Sequence, residues 1–218
     1  VEKALDDHGL IVPCCIAIRQ WGDMHGWEYK LVMDEAKRRF DLGARIGAPY
    51  IVATPPIEAC DISTLPERYA DLLHIGRETG IKPTFEYISF FKSIHQLSQA
   101  WDVVQQSGDS DATLILDAFH NWNSGSTLND LEQIPVDKIS HYHIDDAHPD
   151  KPAQTQTDPD RVMIGDGVID LKSEISILRN KGYKGAMSLE LFNADLWAKD
   201  PKEVLKTGLE RMRELIEL

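Results

Sequence analysis

The chain has 218 residues, 42% hydrophobic and 27% charged, with a formal net charge of −13. That length supports one large domain with a sizeable core. The acidic balance disfavours nucleic acid, whose phosphates demand a basic surface, and no apolar run approaches the length of a membrane span, so a small-molecule partner is expected.

Three cysteines, an odd number with Cys14 and Cys15 adjacent, read as free thiols of a reducing compartment, the cytoplasm. The first residues are polar and amphipathic rather than signal-like, although the chain opens without Met, which leaves a removed leader open. Residues 2–7 read as the end of a helix stopped by Gly9, and residues 10–18 as an apolar strand. Residues 26–47 place Trp27, Leu31, Phe40 and Ala44 on a helical period, and residues 50–54 form a short buried strand. Ser63 or Thr64 caps the next helix, with Pro66 in its first turn, Leu72, Leu73 and Ile75 inward, and Gly80 at its end.

A strand at residues 83–88 carries Glu86. Ser93 with Gln96 reads as a capping box for a helix bearing Ile94, Leu97, Trp101 and Val104, closed by Gly108. The strand Leu114-Ile115-Leu116-Asp117 follows, then a polar turn over 121–126 and one short helix with Leu128, Leu131 and Ile134. Residues 139–145 form the strand of His141 and His143, and residues 147–167 a long irregular loop of the functional kind. Asp170 opens a helix with Leu171, Ile175 and Leu178, ended by Gly182, and a strand at 186–192 carries Glu190. Asp200-Pro201-Lys202-Glu203 starts the last helix, with Val204, Leu209, Met212 and Ile216 as its core face.

Six strands alternating with helices predict an α/β fold with a parallel sheet. No Gly-x-Gly-x-x-Gly follows a strand, which weakens an open nucleotide-binding sheet. Polar residues at several strand exits favour a (β/α)8 TIM barrel. The chain is expected to supply about six of its eight strands as one domain, residues 1–218, whose N-terminal strands precede Val1.

Four buried strands each deliver a potential ligand at the exit: Glu86, Asp117, His143 and Glu190. A single strand-end glutamate is often half of an ion pair, but strand tilt in a barrel aims all four at one point. Two Glu, one Asp and one His form an oxygen-rich site for a divalent metal: Zn, Mn, Co or Mg. His143 is preferred over His141 as the ligand because it lies nearer the exit, leaving His141 as a support or a core histidine. His120 points to the site mouth; Asp145 and Asp146 read as acceptors that orient ligands or as a solvated acidic turn. Arg161, ahead of Gly165 and Gly167, can fold back over a polyol. Trp21, Trp122 and Phe192 follow strand exits and can wall a sugar pocket, while Trp27 and Trp101 read as core.

The motifs Phe85-Glu86, Leu116-Asp117-x-Phe119-His120, Tyr142-His143-Ile144-Asp145-Asp146, Asp160-Arg161-Val162 with Gly165-x-Gly167, and Ser188-Leu189-Glu190-Leu191-Phe192 resemble those of the xylose-isomerase-like barrel superfamily. That superfamily holds sugar isomerases, epimerases and inosose-processing enzymes of inositol catabolism. The resemblance implies a divalent metal on Glu86, Asp117, His143 and Glu190. It also marks a departure, since the family barrel begins with two strands and a helix that have no counterpart before Val1.

The expected activity moves a ketone to the neighbouring carbon of a cyclic polyol or keto-sugar through an enediolate. Glu86 and Glu190 are the candidate bases, and His120, Arg161 and Trp122 the candidate substrate contacts. The same ligands also serve dehydratases and epimerases; an abasic-site endonuclease and a non-catalytic sugar-binding protein are the remaining alternatives. The substrate is the expected partner, with no nucleic acid, no membrane, and a homo-oligomer left open.

Overall fold

The computed structural model describes residues 1–217. The strands are β1 (Cys15–Ile18), β2 (Tyr50–Ala53), β3 (Lys82–Phe85), β4 (Thr113–Asp117), β5 (Ile139–Ile144), β6 (Asp146–Ala147), β7 (Arg161–Val162) and β8 (Ala186–Leu189). The helices are α1 (Glu2–His8), α2 (Gly26–Arg45), α3 (Leu65–Thr79), α4 (Leu97–Gln106), α5 (Ala118–Asn123), α6 (Leu128–Gln133), α7 (Leu171–Asn180), α8 (Ala194–Trp197) and α9 (Pro201–Glu217). Six strands form one parallel sheet in the order β1-β2-β3-β4-β5-β8, and β6 and β7 make a separate antiparallel ribbon. This is an α/β barrel fold with six of the eight strands of a (β/α)8 barrel among the described residues. The chain divides into two compact units, Val1–Ile115 and Leu116–Leu218.

In the first unit, β2 pairs with β1 and β3, and α2 and α3 lie alongside each other. The buried stripe of α2 is Ala36, Phe40 and Gly43, at the i, i+4, i+7 spacing of one helical face. Trp27 and Leu31 fall on another face: Trp27 is 69% exposed, so the expectation of a core tryptophan there is corrected. Trp101 is half-buried. Trp21, expected on a pocket wall, is instead the centre of this unit's core. Its Nε1 donates to the Thr54 carbonyl at 2.7 Å, and its ring meets Phe85 edge-on at 5.5 Å. The Tyr69 hydroxyl reaches the carbonyls of Pro83 at 3.0 Å and Thr113 at 2.7 Å, tying α3 beneath β3 and β4.

Three local expectations change. The first strand shortens to four residues because 10–14 stay irregular around Pro13, with Leu10 and Ile11 exposed. The capping box of α4 is Gln96 with Gln99 rather than Ser93 with Gln96, and the Ser93 hydroxyl donates to the Pro56 carbonyl. The first half of the polar turn over 121–126 is helix, since α5 starts directly after β4 with Asp117 as its N-cap and runs to Asn123.

In the second unit, β5 pairs with β8 in the register His141↔Ala186 and His143↔Ser188. α7 begins as expected, the Asp170 carboxylate accepting the Ser173 N–H. In α9 the buried positions are Gly208 and Leu215, while Leu209 and Ile216 stay exposed. Gly208 lets the helix approach the Leu189 side chain so closely that a Cβ would overlap it, so the inward face keeps Val204 and Met212 of the expected four, both half-buried, and leaves Leu209 and Ile216 outside.

Candidate metal centre

All five residues of β4 are buried, and the strand ends on Asp117 just where α5 begins. Its Oδ1 accepts the His120 N–H at 2.8 Å, satisfying an orphan helix donor. That bond fixes the carboxylate so that Oδ2 faces inward, 3.7 Å from His143 Nδ1 and 2.8 Å from Arg161 Nη1. His143 arrives on β5, and its Nδ1 lies 3.0 Å from Oε2 of Glu190, the residue that follows β8. The candidate ligand atoms of Asp117, His143 and Glu190 lie within 4.8 Å of one another. Glu86 stands in the first unit directly after β3, buried, its N–H donating to the Ala53 carbonyl at 3.2 Å.

His141 faces the same side of β5 as His143, the rings 5.1 Å apart, and its Nε2 lies 2.7 Å from Ser188 Oγ. Burial pushes its pKa down to about 4, so it sits neutral one level below the exit.

Arg161 reaches in from β7 and is 1% exposed. Its Nη1 binds Asp117 and Asp145, its Nε and Nη2 bind Asp158 Oδ1 at 3.2 and 3.0 Å, and its Nη2 lies 3.1 Å from His120 Nε2. Glu190 Oε2 is 3.4 Å from Nη1. The guanidinium lies 4.9 Å from the Phe119 ring centroid and 5.7 Å from that of Phe192. Burial raises the Asp117 carboxyl, but the Arg161 guanidinium first, and then the facing imidazoles of His120 and His143, outweigh it and hold the group well below its usual range. Asp145 goes the other way: burial, with the charges of Asp117 and Glu190 adding, lifts it well above that range against the pull of Arg161. Burial drives His120 down to about 3.

Asp145 and Asp146 are both buried, so neither is a solvated turn. The Asp146 carboxylate accepts N–H groups from Gly165 and Gly167 at 3.1 Å each, from Ile169 at 2.9 Å and from Ala147 at 2.9 Å. It therefore staples the 163–169 loop to the β6–β7 ribbon from which Arg161 projects. A Cβ on Gly167 would overlap the Ala147 carbonyl and the Asp146 carboxylate, which accounts for the second glycine of the motif. Trp122 is half-buried, its ring 6.4 Å from Phe119, and Phe192 is 39% exposed.

Two residues with no part in the sequence expectations belong to this region. Asp158, in an acidic loop without periodicity, gave no signal. Glu174 did: with Leu171, Ile175 and Leu178 it occupies the i, i+3, i+4, i+7 face of α7, a charge on an apolar stripe.

The residues around the centre fit a divalent cation. Asp117, Asp158 and Glu190 face one guanidinium, with the raised Asp145 beside them, so negative charge remains for a metal ion to offset, and the donors are the oxygen and imidazole atoms that hard and borderline metals take.

Residues 1–215 match the family described as xylose isomerase-like TIM barrel. Inosose isomerase of Halalkalibacterium halodurans is 32% identical over 199 residues, covering 86% of this chain and 69% of that protein. The 3-dehydroshikimate dehydratase of Pseudomonas putida is 24% identical over 193 residues, 85% of this chain but 30% of that protein. The crystal structure of the IOLI protein with a bound zinc atom superposes with a TM-score of 0.92 at 24% identity, covering 99% of this chain and 80% of that one.

Proposed function

The chain belongs to the xylose isomerase-like TIM barrel family, a metal-dependent enzyme of isomerase and epimerase type, and from that premise we propose that it moves a ketone along an inosose ring. The observation that carries the reading is the meeting of Asp117, His143 and Glu190 beside Arg161 at three strand exits, the first two buried and the third half-buried. Similarity to the H. halodurans inosose isomerase supports a cyclic polyol as substrate and a place in inositol metabolism.

Asp117, His143 and Glu190 hold the metal in this proposal, and the motif resemblance adds Glu86 as a fourth ligand. A bound divalent ion supplies Lewis-acid charge that favours loss of a proton next to the ketone. Zinc is one candidate, supported by the zinc-bound structural relative. Glu190 and Glu86 are the proposed bases: one takes the proton from the carbon beside the ketone, the other returns a proton to the neighbouring carbon of the enediolate. Arg161 holds the Asp117 carboxylate in its ionised form, and with His120 it is proposed to face the substrate oxygens. His120, neutral and within reach of Arg161, meets a hydroxyl without adding charge. Trp122 and Phe192 supply the apolar wall.

A dehydratase acting on a cyclic keto acid is the second reading, favoured by the P. putida relative. The engagement of Arg161 weighs against it, because a substrate carboxylate would bring further negative charge to a guanidinium already shared by four carboxyl groups. Turnover of a panel of inososes and ketoses by zinc-, manganese- and cobalt-loaded protein separates the two. Isomerised inosose is expected, with deuterium incorporated from heavy water at the carbon next to the ketone. A conjugated enone detected by ultraviolet absorbance would establish the dehydratase instead, and isomerisation without any solvent deuterium would replace the glutamate bases by a hydride shift.

A further inference from the structure

Glu174 has no part in the chemistry above, yet it is a buried carboxylate on the inward face of α7. Its Oε2 accepts the Asn121 amide at 3.0 Å and the Tyr142 hydroxyl at 2.9 Å. Both donors stand next to proposed site residues in the chain. Tyr142 lies between His141 and His143 on β5, and strand alternation turns its side chain to the face opposite the two imidazoles. Asn121 follows His120 on α5, the helix that Asp117 caps. One carboxylate therefore grips, from behind, both the strand that delivers His143 and the turn that delivers Asp117 and His120.

A buried acid is a costly way to fill a helix face that otherwise carries Leu171, Ile175 and Leu178. Among the described residues no cation pairs with Glu174, and burial lifts its carboxyl to about 7. An apolar side chain of similar size would pack there at lower cost, but it would bond neither donor. Retaining the acid makes sense where the two bonds set geometry.

We propose that Glu174 is a positioning residue for the metal centre, acting through Tyr142 on the strand of His143 and through Asn121 on the Asp117–His120 turn. It rests on the metal site proposed above. Partners behind a ligand fix its orientation, and their loss weakens metal binding without removing a ligand.

The test is cobalt(II) titration of chelated full-length protein, followed by the visible absorption band of the bound ion. Glu174→Leu, which removes both bonds, is expected to bind cobalt about 10-fold more weakly with an altered band, as loss of a partner behind a ligand does. Glu174→Gln keeps an oxygen for both donors and is expected to stay within about 3-fold of the wild type with an unchanged band, well short of the effect of a lost partner. A Glu174→Leu protein that is folded by circular dichroism and shows wild-type affinity and band overturns the proposal. Should Glu174→Leu fail to fold, Tyr142→Phe removes one bond alone, and wild-type affinity and band there would overturn it equally. Wild-type protein that binds no cobalt would defeat the metal site itself, an outcome distinct from equal binding by wild type and variants.

Discussion

Replacing Arg161 by Met tests whether its charge holds the second unit's polar centre together. The guanidinium lies between Phe119 and Phe192, so a thioether can occupy the space between the rings and most of the packing survives. What is lost is the positive charge facing Asp117, Asp145 and Asp158, two of them fully buried. Breaking a buried pair from one side costs about 3–5 kcal/mol, and that is the expected deficit at pH 8. The sign of its pH dependence follows from Asp117. In the wild type that carboxyl is depressed, so its contribution is present above the unfolded value of 3.8 and is lost only in acid. Without Arg161 burial dominates, so Asp117 rises above its unfolded value and Asp145 and Asp158, already raised, go higher still, and stability is lost as pH rises through those values. The deficit should therefore be smaller at pH 5 than at pH 8 by at least about 1.4 kcal/mol, the worth of one pKa unit. Urea denaturation of the chelated wild type and Arg161→Met at both pH values, followed by circular dichroism, measures it. A deficit below about 1 kcal/mol at pH 8, or one that does not shrink in acid, would refute the reasoning, since it would fall short of the cost of one broken buried pair.

Glu174 gives a second pH signature: its carboxyl is raised from 4.5 to about 7, so its contribution is fully present below 4.5 and lost as pH rises through 7. That shift is worth about 3 kcal/mol, and Glu174→Gln should flatten the fall in stability between pH 5 and 8 by an amount of this order in denaturation midpoints. Gly167→Ala should cost about 1–3 kcal/mol, because its methyl group must displace the Asp146 carboxylate or the Ala147 carbonyl; thermal melts that match the wild type would contradict this. Chelation should lower the melting temperature of metal-loaded protein by on the order of 10 °C, given about 4 kcal/mol of linkage at a thousandfold excess over Kd. Differential scanning calorimetry with and without chelator reads it directly.

The alternation of strands and helices was legible because continuous apolar runs such as Leu114-Ile115-Leu116 and helical stripes such as Leu171, Ile175 and Leu178 have distinct periods. Carboxylates and imidazoles at the ends of such runs stand out against them, and the structure does bring Asp117, His143 and Glu190 together. Long-range side-chain geometry left no such trace. Gly165 and Gly167 signal that Arg161 folds back, but nothing local names Asp117, 44 residues away, as its partner, or tells that Trp21 sinks into the core while Trp27 remains outside. Helix faces were misjudged where a glycine sets the approach: Gly43 on α2 and Gly208 on α9 mark the buried side, and an apolar-only reading passes over them. Glu174 lay in plain sight as a charge on an apolar stripe, but without its partners Asn121 and Tyr142 it has no meaning in one dimension.

The central claim is that one divalent metal, held at these strand exits, makes the chain an isomerase. Asp117→Asn tests it most directly, because the substitution is isosteric and Asp117 is fully buried where three candidate ligands meet. Metal content by mass spectrometry should fall from one ion per chain in the wild type to a small fraction in Asp117→Asn, with inosose isomerisation falling in parallel and the fold unchanged by circular dichroism. Asp117→Asn protein that keeps a full equivalent of metal and wild-type turnover would contradict the account.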